Sequence, residues 1–510
     1  MKRALERVDS RVAAGVFTAL AAVVVHGRSV WFGFTGLDDR DLIVDDHAFL
    51  TAPWSVLRAF TRSYMHVVDA SHGYYRPIVT ASFALDARWS GLHPAGYHAT
   101  NVAVHTAASL LLLVLLRDLA MGARLATAAA VAFAVHPALA SAVAWIPGRN
   151  DSLLAVFALA SWIAFARDAA SPSWAWRGGH AAAFALALLT KETAVVIPLV
   201  CIAYLALARP AEWGPWLRSR RAAYLVVSWT AGVAGFAVLH AWLRVPAVHV
   251  GRQSAIVLLA SAGQLLVPFS PGAFASAADL SVWPGILAVA VLAAASLRIP
   301  GVRRRVVVLG ATAFVLTLAP TLALGDGPAQ ACRLEWPACG ALIAVVEVAR
   351  AALRSPPGRE GGLAAAIGAT AIATMAAVTV AFESSFRDPG AFARQAVADA
   401  PNSSLAHVCL GRVLQADGEP SRALAEYRTA LSLGPAEVAH NNIAVIDMSA
   451  GLWTDAEREL RAEIELQPGY ARAYANLAIV LRHLGRADES RAAQEQADAL
   501  ASGSRPTLFK

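Results

Sequence analysis

The sequence predicts an all-α integral membrane protein of about eleven transmembrane helices, closed at its C-terminal end by a short solenoid of helical repeats. Three observations carry this. The 510 residues are 57% hydrophobic and only 15% charged, with mean hydropathy +0.51, whereas soluble domains average roughly 45–50% apolar and about 25% charged residues. The apolar residues form long blocks between about 11 and 382. Residues 383–500 instead read as soluble helix rich in Glu, Arg and Ala.

About twenty apolar residues cross a bilayer core. By that measure the spans are 12–34, 98–116, 124–145, 151–167, 178–190, 193–209, 222–243, 282–297, 303–323, 337–353 and 362–382. The block 254–268, followed by Pro268 and Pro271, reads as a re-entrant or interfacial helix. The run from Val12 to Phe34 is too long for a signal-peptide core and lacks a small-residue cleavage site, so it reads as an uncleaved first span.

Charge placement fixes the orientation. With the N-terminus inside, Arg117 and Arg124, then Arg167 and Arg177, then Arg218, Arg220 and Arg221 fall on the cytoplasmic side. So do Arg298, Arg303, Arg304 and Arg305, and Arg350, Arg354 and Arg359. Orientation by Lys/Arg bias requires this one-sidedness. It places 35–97, the corners near 146–150 and 191–192, the 244–281 segment, the 324–336 loop and everything after 382 outside the cytoplasm. The net charge of +7 is thereby explained by loops, and no basic helix or aromatic RNA motif accompanies it, so nucleic acid is not an expected partner. The four cysteines carry no metal spacing. Cys332 and Cys339 flank one loop, close enough in sequence for a disulfide that no other feature supports.

The tail is periodic. Gly418, Gly451 and Gly485 recur at intervals of 33 and 34, each between two helical patterns. In the first unit Leu410, Gly411, Ala423, Tyr427, Ala430 and Pro435 stand in tetratricopeptide register. Residues 404–500 therefore make three tetratricopeptide repeats. Residues 387–403 are expected as a linker, 501–510 as a flexible tail, and 1–386 as the membrane domain with its long external loop 35–97. Stacked repeats bury a continuous face and present a surface for a protein partner.

Polar side chains collect in the external segments. "GLDDRDLIVDDHAFL" puts Asp38 and Asp39, then Asp45 and Asp46, just beyond the first span. Such pairs can act as a general base, hold a metal, or be solvated loop charges. His98, Asn101 and His105 share one helix face, with His105 about two turns into the membrane, where a polar group faces a cavity or a partner helix. Arg76 follows two tyrosines, Arg149 and Asp151 mark one corner, Lys191 and Glu192 another, and Arg333 and Glu335 lie before the tenth span. Asp151 can cap a helix and Lys191 can snorkel. A lysine on the outer side opposes the charge bias, however, and these external cations suit a phosphorylated lipid head group.

In order, "GLDDRDLIVDD", "YYRPIVTASFALD", "HPAGYHATNVAVH", "HPALASAVAWIPGRNDSL", "LLTKE" and "RLEWPACG" precede the repeats. This arrangement resembles the transmembrane and tetratricopeptide-repeat O-mannosyltransferases and their bacterial relatives, which belong to the GT-C glycosyltransferases. The resemblance implies transfer of a sugar, often mannose, from a polyprenyl-phosphate carrier to a hydroxyl of a protein or glycan acceptor outside the cytoplasm, here across a bacterial inner membrane. It maps the family's acidic pair onto Asp38 and Asp39, with Asp39 the favoured base, and leaves the second Asp to hold the acceptor or a divalent metal. Lys191, Arg333, Arg149 and Arg76 would meet donor phosphate. The family's Tyr-Leu-Pro element after an Arg is altered here to Leu334-Glu335-Trp336-Pro337, a departure in the donor loop. The competing expectation is a non-catalytic membrane scaffold whose repeats recruit an envelope partner. Convergence of Asp38, Asp39, Arg76, Lys191 and Arg333 in one cavity would separate the two.

Overall fold

The computed structural model describes residues 2–64, 74–242, 254–267, 279–322, 331–353 and 359–503. Pro268, Pro271, Arg354 and the tail beyond 503 lie outside the described residues, as does the side chain of Cys332.

Among the described residues the elements are all helical. The membrane part comprises α1 (Lys2–His26), α2 (Pro77–Ser90), α3 (Pro94–Asp118), α4 (Ala123–Ala134), α5 (Arg149–Ala170), α6 (Trp174–Thr190), α7 (Ile197–Ala208), α8 (Arg220–Trp242), α9 (Ser254–Leu266), α10 (Trp283–Arg298), α11 (Arg304–Leu322), α12 (Glu335–Ala352) and α13 (Arg359–Glu383). Each of the eleven expected spans falls on a helix. Six described helices are long and apolar enough to cross a bilayer, or seven if Ala123–Ala134 and Pro137–Ala144 count as one bent span. The protein is therefore a multi-pass membrane protein. The other expected spans are shorter or more charged: α6 has 17 residues, α7 has 12 and α10 has 16, while α12 carries Glu335, Glu347 and Arg350.

The 49° bend in the third expected span has a local cause. Pro137 excludes the helical conformation from His136, which sits in the extended region at φ −76°, ψ 125°. The His136 ring then accepts the Ala138 N–H (3.2 Å) and bonds the Leu265 carbonyl (2.9 Å), satisfying the broken turn. Helices α11 and α12 cross closely because Gly310 faces Gly340: a Cβ on Gly340 would lie 2.5 Å from the Phe314 nitrogen. Small residues permit such approach where lipid supplies no hydrophobic drive.

The tail pairs α15 (Ser404–Ala416) with α16 (Pro420–Leu433), α17 (Ala439–Ser449) with α18 (Trp453–Leu466), and α19 (Ala471–His483) with α20 (Ala487–Gly503). The recurring glycines are explained by backbone geometry. Gly418, Gly451 and Gly485 end the first helix of each pair at φ +78°, +76° and +77°, a conformation glycine adopts without steric cost.

The expected linker 387–403 is instead largely helical. Helix α14 (Pro389–Asp399) starts on a capping Asp388 whose side chain accepts the Ala391 N–H and buries Phe392, Ala393 and Ala396. Phe392 and Ala396 join Phe32, Trp145, Phe386 and Ala406 in one apolar cluster. A segment with that much apolar surface to bury cannot remain a free tether, and it docks the tail beside the C-terminal end of α1.

Candidate active site

Beyond α1 the chain runs extended and then forms a short turn in which Asp38 and Asp39 lead into a π-helix, Arg40–Val44. The Asp45 N–H reaches the Arg40 carbonyl at 2.8 Å, five residues back. Such wide turns are rare and frequent at functional sites. Leu42 and Ile43 anchor this one by packing with Phe49, Leu50, Val79, Phe83 and Tyr97.

Asp39 is fully buried. Its Oδ2 accepts the Thr35 backbone N–H at 2.5 Å and the Thr35 hydroxyl at 2.7 Å, while its Oδ1 is buried with no hydrogen-bond partner among the described residues. Burial pushes the Asp39 carboxyl up to about 6, against the two Thr35 hydrogen bonds, which lower it. Asp38, partly exposed, is pushed up to about 7 by burial and by the charges of Asp39 and Asp41, opposed by Arg76 and Arg412. Both are therefore near the range where a carboxylate can take a proton at neutral pH.

The cations lie in the same region. Arg76 is mostly buried and grips Glu192 with two bonds, Nη2 to Oε1 at 2.6 Å and Nε to Oε2 at 3.2 Å. Its guanidinium stacks over Tyr74 at 4.3 Å and Tyr64 at 5.4 Å. Lys191 donates to Asp151 at 2.6 Å and to Asn150 Oδ1 at 3.1 Å. Asp151 also feels Arg76 and Arg333. Asp38, Arg76, Glu192, Lys191, Asp151 and Arg333 thus form one electrostatically connected group. Unlike Arg76 and Lys191, which are paired with carboxylates, Arg333 makes no hydrogen bond or ion pair among the described residues. The altered loop around it has not removed its charge from the group.

Other expected site residues have internal work. Arg149, expected to meet phosphate, is fully buried. It pairs with Asp86 at 2.6 Å and donates to Asn101 Oδ1 (2.7 Å), Ser82 (3.1 Å) and the Tyr97 carbonyl (2.7 Å). Its donors are spent holding α2, α3 and α5 together. Asn101 donates in turn to the carbonyls of Val143, Trp145 and Ile146. His98 bonds the Gly33 carbonyl at 3.3 Å and so steadies the extended segment that carries Thr35. His105 pairs with Glu335 at 2.8 Å, and Glu335 also accepts from Ser152; all of these are buried. Asp45 is exposed and lies 3.5 Å from Arg40, whereas Asp46 is buried, its carbonyl accepting from Phe49 and Leu50. Among the described residues no three His, Cys, Asp or Glu side chains gather as a metal site.

Several contributors escaped the sequence reading. Thr35 stands four residues before Asp39, a spacing with no distinctive signature. Asp86 and His26 lie inside apolar helices with partners distant in sequence; His26 pairs with Glu383 at 2.5 Å. The signal for them was an ionisable residue inside an apolar block, which demands a partner.

No family model matches the chain. Part of it is 32% identical over 181 residues to protein O-mannosyl-transferase Tmtc1 of Drosophila melanogaster, covering 35% of this chain and 21% of that protein. It is 32% identical over 139 residues to mouse protein O-mannosyl-transferase TMTC3, covering 27% and 15%. Against human protein O-mannosyl-transferase TMTC1 it is 28% identical over 207 residues, covering 38% and 23%. Part of the chain is thus similar to part of the Tmtc O-mannosyl-transferases. The matched stretches span at most about a quarter of the length of these Tmtc proteins, so the kinship bears on a part of each. In this chain Asp39, with Oδ1 unpartnered among the described residues, follows the first span, and its neighbour Asp38 lies within the electrostatic reach of Arg76.

Proposed function

We propose that the protein transfers a sugar, mannose by analogy with the names of its relatives, from a polyprenyl-phosphate carrier to a hydroxyl group of a polypeptide on the extracytoplasmic side. In a bacterial cell this side is the outer face of the inner membrane. The observation that carries the reading is Asp39: a buried carboxylate with one oxygen clamped by Thr35 and the other unpartnered among the described residues, next in sequence to Asp38, which Arg76 links electrostatically to Asp151, Lys191 and Arg333.

The chemistry is a single displacement. The acceptor oxygen attacks the anomeric carbon, its proton passes to Asp39 Oδ1, and the bond from that carbon to the phosphate oxygen breaks with its electron pair. The leaving group departs as polyprenyl phosphate, whose growing charge is met by Arg333, Lys191 and Arg76; preplaced cations are most effective where charge develops in the transition state. Phosphate leaves as an anion and needs no acid, so one base suffices and the anomeric configuration inverts. Asp38 would orient the acceptor.

Lys191 and Arg76 are held by carboxylates before the donor arrives. Each retains donors beyond those used in its ion pair: Lys has three N–H groups and Arg five. The pairing keeps the cluster from being an unpaired buried charge while leaving it able to bind an anion. Incubating purified protein with labelled polyprenyl-phosphate sugars and a serine- or threonine-containing peptide tests the reading. Label on the peptide, dependent on Asp39, is expected; absence of transfer from every donor offered would refute it.

A further inference from the structure

Where the repeats join the membrane domain there is a cleft of about 440 Å³. Its walls come from three places in the chain. Thr35, Gly36, Leu37 and Arg40 belong to the segment carrying the acidic turn, Asp388 with Phe392 and Arg394 come from the start of α14, and Cys409, Arg412, Val413 and Ala416, with Asp417 just after them, come from α15 and its end. The walls are tied together: the Gly33 N–H donates to the Arg387 carbonyl at 2.9 Å, and a Cβ on Gly36 would lie 3.2 Å from Pro389.

Its chemistry is lopsided. Arg40, Arg394 and Arg412 face two carboxylates, and one of these, Asp388, is already engaged by Arg387 at 2.9 Å and by the Ala391 N–H at 2.7 Å. Arg412 is half-buried and makes no hydrogen bond or ion pair among the described residues, although Asp38 and Asp41 lie within its electrostatic reach. Asp41 also feels Arg472 on α19, so the basic surface continues from the cleft onto the third repeat. The floor is apolar, supplied by Leu37, Phe392 and Val413. A few hundred cubic ångströms with an apolar floor and convergent polar groups is the usual form of a ligand site.

From this juxtaposition we infer that the cleft is the acceptor site and that it selects polypeptide segments bearing carboxylates beside the hydroxyl residue. The inference rests on the transferase reading above and adds to it the charge of the substrate. Thr35 lines the cleft and also holds Asp39, so an extended segment seated there lies next to the base. Guanidinium groups pair with carboxylates in two-pronged fashion, and Arg412 has its donors uncommitted. A basic peptide would be repelled by the same three arginines.

The test is binding, without donor, to the full-length protein in detergent. The probes are three fluorescein-labelled peptides sharing a central threonine and flanked by glutamates, glutamines or lysines. The glutamate peptide should bind tightest, and Arg412→Glu and Arg394→Glu should each weaken it about tenfold while the glutamine peptide changes little. The lysine peptide should bind the variants better than the wild type. Arg394 is exposed, so its variant decides the matter if Arg412→Glu does not fold. Equal affinity for the three peptides, or insensitivity of the glutamate peptide to both substitutions, overturns the inference. Sugar transfer to the glutamine peptide is measured in parallel. Transfer without charge-dependent binding sinks only the acceptor inference, and charge-dependent binding without transfer sinks the transferase reading and leaves the cleft a carboxylate-selective peptide site.

Discussion

Thr35 holds one oxygen of Asp39 twice, through its backbone N–H at 2.5 Å and its hydroxyl at 2.7 Å, and the other oxygen is buried and, among the described residues, unpartnered. The carboxylate is thereby oriented at one end and available at the other. Hydrogen bonds favour its charged form while burial opposes that form, and the balance sets it near 6.

Thr35→Val should therefore impair catalysis without unfolding the protein. Valine matches threonine in shape and keeps the backbone N–H but loses the hydroxyl. Removing one bond to a charged group is worth on the order of 1.5–3 kcal/mol in a buried setting. A drop of at least about tenfold in kcat at pH 7, with the acidic limb of the pH–rate profile moved upward, is the expected outcome. An unshifted limb would show that the Thr35 hydroxyl does not tune the base.

The raised carboxyls give a signed pH dependence of stability. In the folded protein Asp39 titrates near 6 and Asp38 near 7, against an ordinary 3.8. As pH rises through that interval the unfolded chain has already lost these protons and the folded chain is still losing them, so stability falls. Asp38→Asn and Asp39→Asn should raise the melting temperature at pH 8, and the gain should vanish toward pH 4. Thermal unfolding in detergent at the two pH values measures it. Activity should run the opposite way, rising with pH through about 6 as Asp39 ionises.

Arg149 should prove structural. Its partner Asp86 is 2.6 Å away in a buried pair, and removing one member of such a pair leaves an uncompensated charge at a cost of about 3–5 kcal/mol. Arg149→Met alone should lower the melting temperature sharply, and Arg149→Met with Asp86→Leu should recover part of the loss. A stable Arg149→Met protein that merely fails to bind donor would return this residue to the phosphate site.

Arg333 should be the cleanest donor ligand to test, because removing it strands no carboxylate. Arg333→Ala should weaken donor binding about tenfold with little change in melting temperature. Lys191→Ala and Arg76→Ala should weaken donor binding and also destabilise, since Asp151 and Glu192 lose their partners. Unchanged donor affinity in Arg333→Ala would remove it from the site.

Much of this architecture is legible in the sequence because the bilayer is a demanding solvent. Apolar blocks locate the helices that carry the eleven expected spans, whereas α2 (Pro77–Ser90) lay unforeseen inside the expected loop 35–97, and glycines at a period of 33 to 34 mark the repeats. The acidic turn was visible as a cluster of charge beside a span. Its environment was not. That Asp39 is clamped by Thr35, that Arg149 is consumed by Asp86, and that Asp41 faces Arg412 and Arg472 depend on contacts between segments far apart in the chain. The helical character of 389–399 was hidden by its small residues; only Phe392 signals the apolar face that docks it.

The central claim is that Asp39 accepts the proton of the attacking hydroxyl. Asparagine keeps the shape of Asp39 but cannot take that proton, and general-base assistance is typically worth about 10²–10⁴-fold. The decisive measurement is transfer of labelled mannose from a polyprenyl-phosphate carrier to a threonine peptide by wild type and by Asp39→Asn, with donor binding measured on the same preparations. The account expects transfer to fall by at least about a hundredfold while donor affinity stays near that of wild type. Near-normal turnover in Asp39→Asn, in a protein that still binds donor, would contradict it.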